Sequence, residues 1–410
     1  MIVGAGLAGV AAAYYLARSG AFPVVVERNQ TVGSECSYGN AGLITPSHSM
    51  PLAGPGTIRR IPQWLIRDGA GIYIKPRLSL DLLRFGVLFA RHANTQAMLR
   101  GMRNLRDLTR ESKKQFEELL IEESLDVAYQ TTGLMNVCRT RAGFQQLVER
   151  ARLLEREGFQ PKILSPSEAR QQEPRLRDDI TGAVLWTEDA HCDPHRFVCA
   201  LADAASRRGA HFRFGCEVTR LHLGNDGRVS ELDTTGGSLR AKHVVIAAGA
   251  WTVRLARSVG LRIPLEAAKG YHAEVHDFEP IRVPMIFHEH TFAATPLGNR
   301  LRLAGTMEFI GLRGELDRLR AEQLLTHARL YLKNLSGDDS SAWCGLRSCT
   351  PDSLPLIGRS SVVPNLVFAT GQGMLGLTLA PLTGSAVTAL VTGGAADPHI
   401  HCLSPGRFGV

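Results

Sequence analysis

Three glycines open the chain in the spacing Gly4-x-Gly6-x-x-Gly9, directly after the apolar pair Ile2-Val3. At a turn from a strand into a helix this spacing suits dinucleotide chemistry. Gly4 permits the tight turn, Gly6 lets a pyrophosphate approach the backbone, and Gly9 lets helix and strand pack closely. The helix start then offers its free N–H groups to phosphate. Glu27 stands eighteen residues beyond Gly9, at the end of the apolar run Val24-Val25-Val26, where a carboxylate accepts hydrogen bonds from a ribose hydroxyl. Arg28, next to it, joins the expected cofactor contacts.

FAD and NAD share this fingerprint, and the following loop separates them. A nicotinamide domain continues as regular strand and helix, whereas residues 31–56 hold five glycines and three prolines and do not return to a helix. Within it, Ser37-Tyr38-Gly39-Asn40-Ala41-Gly42 provides small residues and an Asn, which suit a backbone lying against a flat ring and donating N–H groups to it. FAD is the expected cofactor.

The elements that must position these residues follow from hydrophobic period and caps. A helix is expected over 7–19, stopped by Gly20, then a buried strand over 24–27. Helical spacing runs through 78–124 and again through 142–157. Asp193-Pro194 reads as the cap and first position of a helix ending at Gly209. Strands are expected at 212–214, 218–223 and 229–234, with Asn225-Asp226-Gly227 as a hairpin turn, and at 243–247. Residues 271–304 alternate short strand-like runs with Pro and Gly, as an antiparallel sheet does. A helix over 315–332, a buried strand over 366–369 and a buried helix over 379–391 complete the chain. The fold class is α/β: an FAD-binding Rossmann-like domain with a second, antiparallel-sheet substrate domain. The first is expected to be discontinuous (1–48, 162–262 and 345–410), and the second to take 49–161 and 263–344. Ile2-Val3 is short for a buried first strand, which raises the expectation of residues upstream of Met1.

Several motifs carry a family resemblance. Ser37-x-x-Asn40-Ala41-Gly42 leads into Leu43-Ile44-Thr45-Pro46 and Pro51-Leu52-Ala53-Gly54-Pro55-Gly56. Further on stand Ala247-Ala248-Gly249-Ala250-Trp251, Lys269-Gly270-Tyr271-His272, Trp343-x-Gly345-Leu346-Arg347, and Thr370-Gly371 through Gly376-Leu377-Thr378-Leu379-Ala380-Pro381. In this order they resemble the small-subunit type of FAD-dependent D-amino-acid dehydrogenase, within the D-amino-acid oxidase and glycine oxidase superfamily. The resemblance implies that Ser37, Asn40, Ala41 and Gly42 line the flavin, that Val218 lies near the adenine, and that Gly249 touches the dinucleotide. It also implies that the stretch holding Gly373, Leu375, Gly376, Leu377 and Thr378 closes over the ring. Arg347 is the expected substrate anchor, since its planar fork binds a carboxylate bidentately. Tyr271 and His272 are expected to cap the pocket or touch the substrate. Ser348 and Gln372 depart from the resembled pattern, where Pro and His are usual. The implied reaction is oxidation of a D-amino acid to an imine or 2-oxo acid by hydride transfer to flavin N5, with electrons passed to a quinone or another carrier. The motif forms point to proline-like substrates such as cis-4-hydroxy-D-proline. The alternatives are an oxygen-using glycine or sarcosine oxidase, and an FAD-binding subunit of a larger complex.

Composition narrows the partners. The 410 residues are 44% hydrophobic and carry a net charge of +8, a globular balance for two or three domains. Residues 59–114 alone hold thirteen Lys/Arg against four Asp/Glu, so the remainder is nearly neutral. Within that stretch Arg59, Arg60, Arg67 and Arg84 alternate with Trp64, Ile66, Leu82 and Phe85, which suits an anionic membrane face or a partner subunit rather than nucleic acid. No secretory leader is visible, and the eight cysteines lack a CxxC spacing, as in reducing compartments. The expected location is the cytoplasm, with a peripheral position on the inner membrane face as the variant. Residues 360–396 carry no charge, but glycines and Pro381 interrupt them too often for a membrane span. His191-Cys192-Asp193-Pro194-His195 resembles a metal cluster only by composition; it reads as a helix start, and no metal is expected.

Overall fold

The computed structural model describes residues 1–66, 71–276, 279–335, 341–394 and 398–410. Arg67 of the basic stretch lies outside them. β1 (Ile2–Val3), α1 (Leu7–Arg18) and β2 (Val24–Val26) form the expected opening unit. They belong to a six-stranded sheet in the order 356–359, 366–370, 244–246, β1, β2, 211–213. Every pairing in it is parallel except that of Leu356–Arg359 with Leu366–Thr370. The strands are Val/Ile-rich and buried, as a parallel sheet covered on both faces requires. α1 packs between the helices Pro194–Arg207 and Ala380–Thr392. Its small residues allow close approach: a Cβ on Gly384 would lie 2.5 Å from the Ala11 carbonyl oxygen.

The second sheet has nine strands. Its order is 341–349, 266–276, 300–309, 292–297, 285–287, 134–138, 182–186, 161–164, with Ile72–Ile74 alongside Arg300–Phe309. It is mainly antiparallel, with parallel pairings at 285–287/134–138 and 72–74/300–309. The strand Glu266–His276 is buried nearly throughout, charged residues included, so its sequence shows no clean alternation. A hairpin, Val218–Leu223 with Val229–Thr234, turns at Asn225-Asp226-Gly227 as expected.

Several expectations need correction. The helix expected over 78–124 is two, Leu80–His92 and Thr95–Glu122, because Asn94 is extended and its side chain caps the second by accepting from Ala97 N–H at 2.9 Å. A short helix, Thr57–Trp64, and strands at 134–138, 161–164 and 182–186 are additions. The last two pair in the nine-stranded sheet, so a domain boundary at 162 falls inside one strand and a boundary at 345 inside another.

Candidate active site

The chain turns from β1 into α1 as its glycines demand. Gly4 has φ +104°, and a Cβ there would lie 2.6 Å from the Ala247 carbonyl oxygen; a Cβ on Gly9 would lie 1.9 Å from that of Gly4. The N-cap of α1 is Gly6, which offers no side-chain cap, and Leu7 N–H donates to Ser37 Oγ at 3.0 Å. Glu27 is 9% exposed and holds the turn together: it accepts from Ala5 N–H at 2.6 Å and from Asn29 N–H at 2.9 Å.

These residues open on a cavity of about 350 Å³. Its lining takes Gly4, Gly6, Glu27, Val218 and Gly249 from the nucleotide-type unit and the hairpin, and Cys36, Asn40, Arg347, Ser348, Gln372 and Gly373 from the loop after β2, the strand Ser341–Cys349 and the turn that follows Thr370. Arg28 lines the wall, its guanidinium 3.8 Å from the Trp251 ring centroid and paired with Glu35. Ser37 and Gly376 also line it. Gly9, Ala41 and Gly42 stand behind the lining and shape it: Gly42 has φ +77° and donates its N–H to Asn40 Oδ1 at 2.9 Å.

Arg347 reaches the cavity from the strand Ser341–Cys349, where its register partner is Ala268. Its Nη1 donates to the Thr306 carbonyl at 2.7 Å. Gly270 leaves room for the guanidinium, since a Cβ there would lie 2.1 Å from Nη1. Thr306 has φ +62°, costly for a β-branched residue, and the 266–276/300–309 pairing shifts register opposite it. The carbonyl that orients Arg347 thus comes from a bulge. Burial pushes the Cys36 thiol upward and that of Cys349 to about 12, so both stay protonated.

Other expected contacts take different places. Tyr271, one strand position from Gly270, faces the opposite side of the sheet, where its hydroxyl donates to Glu308 at 2.9 Å; it does not cap this cavity. His272 is buried outside the lining and stacks on Trp343 with ring centroids 5.1 Å apart. Burial lowers its pKa to about 3, so it is a neutral packing group under the loop at Gly39. Leu375 and Leu377 sit in the core around α1. Thr378 ties the loop down by accepting from Thr45 N–H at 3.1 Å. Their contribution to the cavity is indirect.

Arg302 was missed. Its guanidinium is fully buried, binds Glu274 at 2.6 and 2.9 Å, and donates to the carbonyls of Tyr38 and Asn40 at 2.8 and 2.7 Å. It clamps the loop at Tyr38 and Asn40, and Asn40 lines the cavity. The only sequence signal was a pair of arginines alternating with leucines in Arg300-Leu301-Arg302-Leu303, which also suits a half-exposed strand.

Residues 1–390 match the family described as DAO, FAD dependent oxidoreductase. The chain belongs to this family. A curated relative, the D-amino acid dehydrogenase of Paramagnetospirillum magneticum, is 34% identical over 418 residues, covering 100% of this chain and 98% of its own. Among solved structures, glycine oxidase of Geobacillus kaustophilus shares 25% identity at TM-score 0.77, covering 99% of this chain and 97% of that one. Glycine oxidase of Bacillus cereus shares the fold at TM-score 0.77 and 22% identity, covering 98% and 96%. The family's cofactor fits what the chain provides: a helix start whose N-cap, Gly6, has no side chain, a carboxylate after β2 and glycines whose Cβ atoms would fill the turn. The chain is an FAD-dependent oxidoreductase.

Proposed function

We propose that the chain is an amine dehydrogenase that oxidises D-amino acids at the carbon bearing nitrogen. The observation that carries this reading is Arg347, a cation presented to the cavity by a sheet register that leaves part of its fork free. A carboxylate is the natural partner for that edge. Gly4, Gly6, Glu27, Ser37 and Asn40 would hold the cofactor. When bound, the flavin supplies the two-electron acceptor, and the protein supplies binding and orientation. Ser348, Gln372 and Cys36 line the cavity with Arg347, and Glu35 lines it paired with Arg28; a substrate amine bound neutral then needs no dedicated base. The names of the curated relatives support D-amino acids.

Within this reading, the substrates are proline-like secondary amines such as cis-4-hydroxy-D-proline, and electrons pass to a quinone or another carrier. A surface for reaching that carrier is available. Ile66, Leu80 and Leu83 are 63%, 84% and 64% exposed, and Arg59, Arg60 and Arg84 are exposed among them. Basic residues mixed with bare aliphatics suit peripheral attachment to an anionic membrane. Among the described residues no helix is long and apolar enough to cross one.

The test is anaerobic bleaching of the FAD-loaded protein by D-amino acids, L-amino acids and cyclic or N-alkyl amines. D-amino acids are expected to bleach it, with reoxidation by a quinone faster than by air. Rapid peroxide formation with glycine or sarcosine would favour the oxidase alternative. Absence of bleaching by any amine would leave only a role as an FAD-carrying subunit.

A further inference from the structure

Gln372 lines the cavity beside Arg347 and Ser348, yet its Nε2 is buried without a hydrogen-bond partner. Such a group is costly to leave unmet, and where it persists in a cavity it marks a place where a ligand atom belongs. Its position is fixed with care. Gly371 N–H donates to Ser348 Oγ at 3.1 Å, Gly373 N–H donates to the Ser348 carbonyl at 2.9 Å, and Gln372 itself bridges Cys349. Both flanks of Gln372 are therefore pinned to the strand that carries Arg347, and the spacing between amide and guanidinium is set by backbone. Gly371, at φ +78° with Thr350 and Leu356 pressed against it, leaves that turn little alternative.

The two polar groups differ in chemistry. Arg347 offers a cationic fork suited to a carboxylate. Gln372 offers a neutral amide that donates at one end and accepts at the other, the complement of a hydroxyl group, which does both. Glu35, a carboxylate in the same lining, is paired with Arg28. Resting on the amino-acid reading above, we propose that Gln372 is the specificity-determining residue, hydrogen-bonding a hydroxyl on the substrate's side chain or ring, and that Ser348 is its positioning residue. A site with a buried amide awaiting a hydroxyl rejects the analogue lacking it far more strongly than an apolar pocket rejects an added one.

The experiment uses the FAD-loaded protein and substrate pairs that differ by one hydroxyl: D-alanine and D-serine, D-valine and D-threonine, D-proline and cis-4-hydroxy-D-proline. Anaerobic bleaching gives the reduction rate and the dissociation constant for each. The wild type is expected to favour the hydroxylated member of at least one pair by about 100-fold or more. Gln372→Leu should cut that preference to below about 5-fold, chiefly by weakening binding of the hydroxylated member. Ser348→Ala should reduce it by less, through the dissociation constant. If Leu at 372 disturbs the flavin spectrum, Gln372→Asn keeps the amide, shortens its reach and should still cut the preference. A preference unchanged in these variants, or no hydroxyl preference in the wild type, overturns the proposal. Failure of every compound to bleach the wild type would instead overturn the amino-acid reading itself, and the two failures are thus distinguishable.

Discussion

One set of residues that shapes the cavity, Gly4, Gly6, Gly9 and Glu27, falls within the first twenty-seven residues and is arranged by one strand, one turn and one helix. Another, Arg347, Thr306, Gly270 and Gln372, comes from three strands and a loop that meet only through sheet register. In the proposed reading, the first set would meet its ligand through backbone, where a glycine either fits or does not. The second would meet a substrate through side chains whose aim depends on distant neighbours. A locally built site fails all at once; a site built from long-range contacts fails by degrees.

The largest effect should come from the local set. Gly9→Val places side-chain atoms where a Cβ alone would already sit 1.9 Å from the Gly4 carbonyl oxygen. Overpacking of this severity costs about 3 kcal/mol or more, and the purified variant should show no flavin spectrum and a lower unfolding midpoint. A variant that keeps its flavin would break the comparison.

Next comes Arg347→Ala. Removing a partner of a desolvated charge pair costs roughly 2–5 kcal/mol, so KM should rise by about 100-fold or more with the flavin spectrum preserved. Gly270→Ala is the graded version: its methyl displaces the guanidinium without removing it, and KM should rise by about tenfold.

A pH effect of opposite signs sharpens the picture. Burial holds His272 at about 3 and His191 at about 4, below the ordinary 6.5 of an exposed histidine. The unfolded chain therefore binds more protons below pH 6.5, and stability falls as pH drops from there toward 3 to 4. Asp189, fully buried and bonded to Ser47, is raised to about 8, so the folded state binds the extra proton and stability falls as pH rises from about 4 toward 8. Thermal unfolding across pH should show both limbs. Asp189→Asn should flatten the alkaline one, and an unchanged alkaline limb would contradict this assignment.

The smallest effect belongs to the basic, aliphatic surface. Replacing Arg59 and Arg60 with Gln should weaken sedimentation with anionic vesicles by about tenfold, while anaerobic bleaching by substrate stays the same. Equal binding to neutral vesicles would remove the electrostatic argument.

The same contrast explains what could be read in advance. The glycine turn, Glu27, the hairpin at Asn225-Asp226-Gly227 and the helix starting at Pro194 rest on residues close in sequence, and each was legible there. Arg347 was expected at the site and stands in the cavity lining, but the Thr306 carbonyl that orients it was not foreseen, because a bulge and a positive φ leave no mark on a threonine. Tyr271 lies on the other face of the sheet from Arg347, while His272 shares the Arg347 face but is covered by Trp343 and the loop at Gly39. In a strand buried on both faces, neighbours point to opposite sides and polarity does not reveal which side holds the cavity. Arg302 was hidden by the same ambiguity, and strands 161–164 and 182–186 gave no turn signal that set them in the second sheet.

One cavity is proposed to join an FAD site to an Arg347 carboxylate anchor. It is tested most directly by anaerobic titration of the flavin-loaded wild type and Arg347→Ala with a D-amino acid and with the matching amine that lacks the carboxylate. The D-amino acid is expected to bleach the wild type at far lower concentration than the amine, and the two compounds to become nearly equivalent in Arg347→Ala. Equal bleaching of the wild type by both, or an undiminished preference for the amino acid in Arg347→Ala, would contradict it.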